Sequence, residues 1–520
     1  MFLKLEEMSL EQKLGMVLCA RRFQENDVDY IIERVKNHAL GCIQGYSQQP
    51  EILEKILAAA DYPLLVINDT EAGFPTSDLP KIPLNALSAC DDPKYIQAFA
   101  RGIVSDAQKA GFNGTWGPVV DILECNGLCK VSRCFSDKKE RVAELAEEIA
   151  KIYKQNHYLS CGKHFPGTSG ISVDTHMEEG ASQLSREYVE EINLYPYKYL
   201  LDKGLLPSVM IEHTVFDSID PDYPASLSKK HVDLLRSTGF DGVLFTDSFA
   251  MMGVLQRFGE ENIYGMAIAA GVDIVLPNYR TSVKDCFDKL RKNYEDGAFT
   301  EERLDEAVRR VLKAQEFVGT APEHPTPFTE EDRKLLDEVA KKCITAVTDP
   351  DVSVALSEPE KERLFIVLPQ NEKEETADAA EITIAPWYDS DRVAARIKEN
   401  FPGATIAFIP EFSSARQHED LLTQATYYKE VVVVTFCYNA AYLGTDGLTR
   451  RSESWINALQ RSGKISAIVH FGNPFALENI IHIPRRIFGY IISDAQEYAI
   501  DALAGKFEPT GKMPFVIELQ

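Results

Sequence analysis

The chain is predicted to be an α/β protein, a TIM-like (β/α)8 barrel followed by a second α/β sandwich domain. Strand-like and helix-like segments alternate seven or eight times in the first 320 residues. The strand-like runs, such as Pro63–Asp69, are continuously apolar, which is typical of parallel strands covered on both faces. Polar residues stand where these runs end. An open doubly wound sheet is the alternative, but such a sheet seldom needs so many units.

The individual elements follow from local signals. Ser9 and Gln12 have the spacing of a capping box, so a helix is predicted to begin there. Ala39–Gln44 is predicted to be the first buried strand. The later elements are predicted as helix Pro50–Ala60, strand Pro63–Asp69, helix Pro93–Ala110, strand Phe112–Val120, helix Lys139–Asn156, a strand leading into Lys163-His164, helix Ser185–Lys203, strand Leu206–Glu212, helix Lys229–Ser237, strand Gly242–Asp247, helix Glu260–Ala270 and strand Val272–Leu276.

A chain of 520 residues is too long for one ordinary core, so two domains are expected. The polar, Pro-rich stretch Ala321–Pro327 is predicted to be a linker. The predicted limits are 1–320 for the barrel, 321–329 for the linker and 330–520 for the second domain. That domain is expected to open with helix Glu330–Ile344 and to contain strands Arg363–Leu368, Ala404–Ile409, Val431–Phe436, Ser466–His470 and Ile487–Ile492.

The composition narrows the classes of partner. A net charge of −25 disfavours nucleic acid and anionic membrane surfaces. We expect a cytoplasmic protein, because the sequence shows neither a leader pattern nor an apolar run of about 18 residues. The ten cysteines are expected to be reduced thiols. The closest cluster, Cys125, Cys129 and Cys134, lacks the paired spacing of zinc sites, so no metal or cofactor is predicted.

Polar side chains fall at the carboxyl ends of five predicted strands. In a barrel these ends converge on one face, where active sites lie. A single strand-end carboxylate, such as Asp121, could equally cap the following helix, but five such positions together indicate a site. The residues are Asp69, Asp121, Lys163-His164, Glu212-His213 and Asp247.

The loop within Cys161–Gly180 has small residues and titratable groups but little apolar bulk, which favours a functional loop. In it, Asp174 and His176 are close enough for the carboxylate to orient the imidazole and hold it ready for proton transfer. Asp247 is flanked by the hydroxyl residues Thr246 and Ser248, which are expected to keep its pKa low. One ionised carboxylate and one proton donor meet the needs of glycosidic-bond cleavage through a covalent intermediate.

Five ordered motifs resemble those of glycoside hydrolase family 3, and most closely its bacterial β-N-acetylglucosaminidases of the peptidoglycan-recycling type. The resemblance covers Met8–Val318 and, more loosely, the remainder of the chain. The matching segments are Asp69–Gly73, Gly117–Asp121, Arg133–Ser136, Lys163–Gly167 with Asp174–His176, and Gly239–Asp247.

The resemblance implies a retaining β-N-acetylhexosaminidase that acts on terminal β-linked N-acetylglucosamine. It implies Asp247 as the nucleophile and His176, with Asp174, as the general acid/base. The substrate-binding residues would be Asp69, Arg133, Lys163, His164 and His213, and the partner a small sugar or glycan fragment. The second domain is then expected to supply no catalytic acid or base.

Three departures from the family pattern bear on the substrate. Thr168–Ile171 replaces a segment that usually carries a His and an Asp, Phe74 stands where an Arg is usual, and Glu212 replaces a small residue. Three alternatives therefore stay open. The first is a phosphorylase of the same fold, since an imidazole repels phosphate less than a carboxylate does. The second is a family 3 β-glycosidase for another sugar, and the third is a sugar-binding or scaffold protein with a decayed site. Neither the aglycone, the preference between GlcNAc and GalNAc, nor the oligomeric state follows from the sequence.

Overall fold

The computed structural model describes residues 1–21, 27–123, 131–171, 173–369, 373–375, 381–383, 388–438, 447–490, 492 and 494–517. The chain is a mixed α/β protein that divides into two compact units. The first unit comprises Met1–Leu79, Ile96–Leu123 and Cys134–Arg333, and the second comprises Pro80–Tyr95, Glu124–Arg133 and Lys334–Gln520. The domain limits 1–320, 321–329 and 330–520 stay a prediction.

The first unit contains ten short strands among its described residues. They are β1 (Cys19–Ala20), β2 (Cys42–Gln44), β3 (Leu65–Asn68), β4 (Gly114–Thr115), β5 (Gly162–Phe165), β6 (Ala181–Ser182), β7 (Ser208–Ile211), β8 (Val215–Phe216), β9 (Val243–Ser248) and β10 (Ile274–Leu276). Two parallel four-stranded sheets have the orders β1-β2-β3-β4 and β10-β9-β7-β5. Two isolated parallel bridges join Leu18, which precedes β1, to Val275 of β10, and Gly114 of β4 to Leu159, which precedes β5. β6 pairs with β8 in a separate parallel ribbon.

Helices connect these strands, as the alternating pattern predicts. The α-helices that begin in the first unit are Leu10–Met16, Asp27–Lys36, Pro50–Ala59, Lys139–Gln155, Arg186–Tyr188, Tyr195–Asp202, Lys229–Ser237, Met252–Phe258, Ile263–Ala270, Val283–Glu295, Glu301–Gly319 and Glu330–Lys342. The predicted capping box is confirmed, since the Ser9 side chain accepts from Gln12 N–H and the Gln12 side chain accepts from Ser9 N–H. None of the described helices combines the length and the apolar composition that crossing a bilayer requires.

Three predictions for this unit are wrong in detail. The strand predicted over Phe112–Val120 is only Gly114–Thr115. Ala39–Gln44 is not the first strand, because the two-residue strand Cys19–Ala20 precedes it and pairs with it in parallel. The helix predicted over Ser185–Lys203 is interrupted by a π-helical turn, Val189–Asn193, and resumes only at Tyr195. Pro196 stands in the first turn of the resumed helix, where the lack of an N–H donor costs nothing.

The second unit is built on a six-stranded sheet with the order β11-β18-β17-β16-β12-β15. Its strands are β11 (Thr345–Thr348), β12 (Arg363–Leu368), β15 (Ala404–Phe408), β16 (Val431–Cys437), β17 (Ile465–Gly472) and β18 (Arg485–Gly489). In addition, β13 (Lys373–Glu375) pairs antiparallel with β14 (Glu381–Thr383). β11 is antiparallel to β18, and the other pairs of the large sheet are parallel. The helices are Leu84–Ala89, Pro93–Lys109, which runs into the first unit, Ser390–Asn400, Ala415–Thr426, Arg450–Arg461 and Ala495–Leu503.

Each unit has buried thiols. Among the described residues, the buried cysteines are Cys19, Cys42, Cys134, Cys161 and Cys286 in the first unit and Cys343 and Cys437 in the second. Cys19 and Cys42 face each other across β1 and β2, with 2.9 Å between their sulfur atoms. Cys125 and Cys129, two members of the sequence cluster, lie outside the described residues.

Candidate active site

Asp247 lies next to the last residue of β9, a central strand that pairs with β7 and β10. Its Oδ1 accepts a hydrogen bond of 2.7 Å from the backbone N–H of Ser248. The flanking hydroxyl groups were expected to hydrogen-bond this carboxylate. Instead, Thr246 Oγ1 accepts a hydrogen bond from Leu276 N–H, and Ser248 Oγ accepts one from Ala250 N–H. The strand therefore fixes the carboxylate through the backbone.

The pKa of Asp247 nevertheless lies below its usual range, as expected. Burial alone would raise it, but the imidazoles of His164, His213 and His176 and the Ser248 N–H stabilise the charged form and lower the pKa to about 2. The structure thus brings three predicted histidines to one carboxylate. A carboxylate that is fully ionised at neutral pH is in the form that a nucleophile needs.

Asp174 and His176 form the predicted pair. Asp174 Oδ1 lies 2.7 Å from His176 Nδ1 and also accepts the backbone N–H of His176 at 3.0 Å. The carboxylate is buried, whereas the imidazole is 24% exposed. Because Nδ1 faces Asp174, proton exchange with a ligand would take place at Nε2.

Asp121 and His164 form a second, fully buried pair. Asp121 Oδ2 lies 2.7 Å from His164 Nδ1, and Asp121 Oδ1 accepts the backbone N–H of His164 at 3.1 Å. A parallel bridge between Val119 and Lys163 aligns the two segments. These contacts show that Asp121 orients the imidazole of His164. They do not show it capping the next helix.

Lys163 is a buried cation that binds two carboxylates. Its Nζ lies 2.9 Å from Asp69 Oδ1 and 2.6 Å from Glu71 Oε1. The Lys163 side chain is only 3% exposed, but that of Asp69 is 67% exposed and so accessible to a ligand. Glu71 was not among the predicted site residues, although it lies two positions after Asp69 in the same motif.

His213 is a buried neighbour of Asp247, and both of its ring nitrogens contact the protein. Nε2 lies 3.1 Å from the carbonyl oxygen of Ser248, so it must donate, and Nδ1 lies 2.8 Å from Ser226 Oγ. The ring stacks on Phe249 with 4.9 Å between centroids, and burial lowers the pKa of His213. Both ring nitrogens of His213 therefore have protein partners, and its contact with sugar stays a prediction.

The remaining predicted residue and the departures from the family pattern also have defined positions. Arg133 ends a 3-10 turn, Val131–Arg133, and is half-buried in the second unit. Phe74 is buried against Phe112, at 5.3 Å between ring centroids. In the altered loop, Ser169 Oγ donates to the Ile122 carbonyl oxygen at 2.8 Å, so this loop has an ordering contact of its own. Glu212 is buried and accepts from Thr214 Oγ1 at 3.0 Å.

The described site does not have the composition of a metal centre. Within the part of the chain that the structure describes, no group of three or more His, Cys, Asp or Glu side chains could hold a metal ion. The site instead combines an ionised carboxylate, two imidazole–carboxylate pairs and a buried lysine between carboxylates. Such groups can attack carbon, transfer protons and bind hydroxyls.

Comparison with known proteins gives the class. Residues 11–314 match the family model described as the glycosyl hydrolase family 3 N terminal domain, which is more than half of the chain. The chain therefore belongs to glycoside hydrolase family 3, a family of enzymes that cleave glycosidic bonds. Every predicted site residue, from Asp69 to Asp247, lies within the matched range.

Individual relatives and solved structures that resemble the chain have different described activities. A beta-hexosaminidase of Photobacterium profundum is 36% identical over 180 residues, which are 33% of this chain, and the chain spans 52% of that relative's length. Among solved structures, a glycoside hydrolase family 3 beta-N-acetylglucosaminidase from Paenibacillus sp. str. FPU-7 has a TM-score of 0.79 at 21% identity, covering 99% of this chain and 100% of that one. The beta-glucoside phosphorylase BglX has the same TM-score at 20% identity, covering 98% and 94%. At these identities the structural likeness shows the fold alone.

Proposed function

We propose that the protein is a retaining β-N-acetylhexosaminidase that removes terminal β-linked N-acetylglucosamine. The single observation that carries the proposal is the Asp247 carboxylate, ionised among three imidazoles, one of which belongs to the Asp174–His176 pair. The similarity to a beta-hexosaminidase supports the choice of a 2-acetamido sugar. The similarity to a β-N-acetylglucosaminidase structure supports the fold.

We further infer that the two four-stranded sheets of the first unit close into one eight-stranded barrel. The two isolated bridges, Leu18 to Val275 and Gly114 to Leu159, fall where such a barrel would need its last two strand pairs. The order would then be β1-β2-β3-β4-β5-β7-β9-β10. All carboxyl ends of a parallel barrel lie on one face, which supports a common site for Asp69, Lys163 and Asp247.

The proposed mechanism has two displacements at the anomeric carbon. A carboxylate oxygen of Asp247 attacks this carbon while the glycosidic C–O bond breaks, and the departing oxygen takes the proton from His176 Nε2. Water then attacks the same carbon, gives its proton to His176 and releases the Asp247 carboxylate. Two inversions give net retention. Asp174 stabilises the imidazolium in the first step and holds the ring in both.

Asp69, Lys163 and His164 are proposed to bind the sugar hydroxyls. Of these, Asp69 has the most exposed side chain, and Lys163 fixes its position. Arg133 is proposed for the same task on the family resemblance only. A panel of nitrophenyl glycosides, with and without the 2-acetamido group, tests the sugar. Preference for the acetamido sugars is expected, and equal or better turnover of plain glucosides would favour the β-glycosidase alternative.

The assignment of His176 is tested with N-acetylglucosaminides whose leaving groups differ in acidity. His176→Ala should lower kcat/KM about 10²–10⁴-fold for a sugar leaving group but much less for dinitrophenolate, which departs without a proton. Asp174→Asn should give a milder form of the same dependence. His38→Ala is the matched control, because His38 pairs with Asp61 at 2.7 Å in another part of the same unit. Equal losses for all leaving groups would remove His176 from the mechanism.

A phosphorylase is the second candidate. The three imidazoles around Asp247 favour this candidate, because they repel an attacking phosphate less than a carboxylate base would. The fold is also similar to that of a beta-glucoside phosphorylase. Turnover measured in phosphate and in a phosphate-free buffer separates the two. Hydrolysis predicts equal rates and free N-acetylglucosamine as product. A rate that depends on phosphate, with a sugar 1-phosphate as product, would establish the phosphorylase. No turnover of any glycoside in either buffer would favour a decayed, sugar-binding site.

A further inference from the structure

The loop that carries Asp174 and His176 rests directly on helix Met252–Phe258. Met252 N–H donates a hydrogen bond of 3.0 Å to the carbonyl oxygen of His176. Met252 is the first residue of its helix, so this N–H has no acceptor within the helix and requires one from outside. The backbone of the proposed acid/base residue is that acceptor.

Gly253 makes the approach of the loop possible. It is buried, and a Cβ at this position would lie 2.3 Å from the carbonyl oxygen of Glu178 and 2.8 Å from that of Thr175. Cβ atoms essentially never come this close to other heavy atoms. Both obstructing atoms belong to the backbone, so no change of side-chain rotamer could relieve the contact. Any side chain at position 253 must therefore lift the loop on either side of His176.

The helix is itself tied to Asp247. Only the segment Ser248–Met251 separates Asp247 from the helix, and hydrogen bonds to other parts of the unit fix this segment. Phe249 N–H donates to the Leu276 carbonyl oxygen at 3.0 Å, and Arg280 Nη1 donates to that of Ala250 at 2.9 Å. The helix thus stands at a fixed distance from Asp247, and the loop stands at a fixed distance from the helix.

We propose that Gly253 is a positioning residue that sets the distance between His176 and Asp247 by letting the loop lie on helix Met252–Phe258. The inference rests on the proposed function, since it takes His176 as the general acid. Gly253 lies against the loop backbone and acts through His176. Because a misplacement of about 1 Å can cost about 10²-fold in rate, a single added methyl group is enough to reveal this role.

The first test is Gly253→Ala, assayed with leaving groups of graded acidity. We expect kcat/KM to fall about 10–100-fold for poor leaving groups and less than about 3-fold for dinitrophenolate, because only the former need the proton of His176. Gln256→Ala is the matched control, since it places alanine at an exposed position of the same helix. It should leave both rates unchanged. A uniform loss across all leaving groups in Gly253→Ala would mean a general packing role and would overturn the proposal.

A double mutant shows whether Gly253 acts through His176. If it does, Gly253→Ala added to His176→Ala should change kcat/KM by less than about 2-fold with any leaving group, because the group that it positions is already absent. A further loss equal to that of the single Gly253→Ala variant would overturn the proposal. Equal losses for all leaving groups in His176→Ala alone would instead refute the general-acid role that the proposed function gives to His176, so the two failures are distinguishable.

If Gly253→Ala fails to fold, Met252→Pro tests the same contact between the loop and the helix. Proline is well accepted at the first position of a helix, and the preceding Met251 already has an extended backbone (φ −70°, ψ 127°), so the main change is loss of the N–H donated to His176. We expect a loss of about 3–30-fold for poor leaving groups with the dinitrophenolate rate retained. Wild-type dependence on the leaving group in this variant would overturn the proposal.

Discussion

At the scale of single residues, the charge of Asp247 is the feature on which the proposed chemistry depends most. Asp247→Ala should reduce kcat on a dinitrophenyl N-acetylglucosaminide to below a few per cent of wild type, because no carboxylate remains to form the glycosyl intermediate. Asp241→Ala is the control, since Asp241 lies just before the same strand and is an exposed partner of Arg310. Greater residual activity in Asp247→Ala would refute the nucleophile assignment.

Sequence reasoning found the chemically distinctive residues but only part of their pairing. Asp174 and His176 were predicted as a pair because two positions in one loop are always close. Asp121 and His164 are 43 positions apart, so their contact depends on two segments being adjacent in the fold. The same limit applies to Glu71, whose partner Lys163 lies far along the chain. The low pKa of Asp247 was expected from neighbouring hydroxyls, whereas imidazoles from three other segments lower it.

At the scale of elements, predicted and observed strands agree best where apolar runs are long and bounded by turns. Arg363–Leu368 and helix Lys229–Ser237 have their predicted limits. Cys19–Ala20 was missed because two residues show no periodicity, and its strand state depends on pairing with β2. Thr345–Thr348 was missed for a similar reason, since it is an antiparallel edge strand beside β18 and follows a helix closely.

Helix Arg450–Arg461 in the second unit allows the expected location of the acid/base to be tested. Its Glu453 is buried, lies 3.1 Å from Arg450 and accepts from Asn479 Nδ2 at 2.8 Å, so it is already engaged within its own unit. Glu453→Gln should keep most of the wild-type kcat/KM on sugar leaving groups, whereas His176→Ala should not. Glu411→Gln is a second variant of the same kind. If either glutamine variant were inactive while His176→Ala stayed active, the acid/base would have to belong to the second unit.

At the scale of the whole molecule, each unit has a buried histidine that resists protonation. His231 in the first unit is fully buried against Phe216, and among the described contacts neither ring nitrogen has a hydrogen-bond partner. His470 in the second unit lies between Thr435 Oγ1 and the Asn473 carbonyl oxygen. Burial lowers the pKa of each to about 4.

These two histidines should make the protein sensitive to mild acid. An unfolded histidine takes up a proton near pH 6.5, but the folded one does so only near pH 4, so stability is full above pH 6.5 and falls as the pH drops toward 4. At about 1.36 kcal/mol per pKa unit, each could contribute a loss of about 3 kcal/mol. Urea unfolding midpoints at about pH 7.5 and 4.5, on either side of the unfolded pKa, measure the effect.

Variants assign the effect to each histidine. His231→Met and His470→Gln should each reduce the difference between the unfolding midpoints at the two pH values, because each removes one imidazole whose pKa is lowered by burial. An unchanged pH difference in the double variant His231→Met/His470→Gln would show that other groups, such as paired carboxylates, account for acid sensitivity.

The buried thiols of both units have a practical consequence for kinetics. A brief pulse of an alkylating reagent modifies a cysteine only while its surroundings are open, and burial raises the pKa of Cys161 and of Cys343 to about 12, which suppresses their reactive thiolates further. Peptides containing Cys161 and Cys343 would thus record, in one mass spectrum, the separate opening rates of the first and the second unit. The native cysteines therefore serve as probes of local unfolding in each unit, and no label needs to be engineered into the protein.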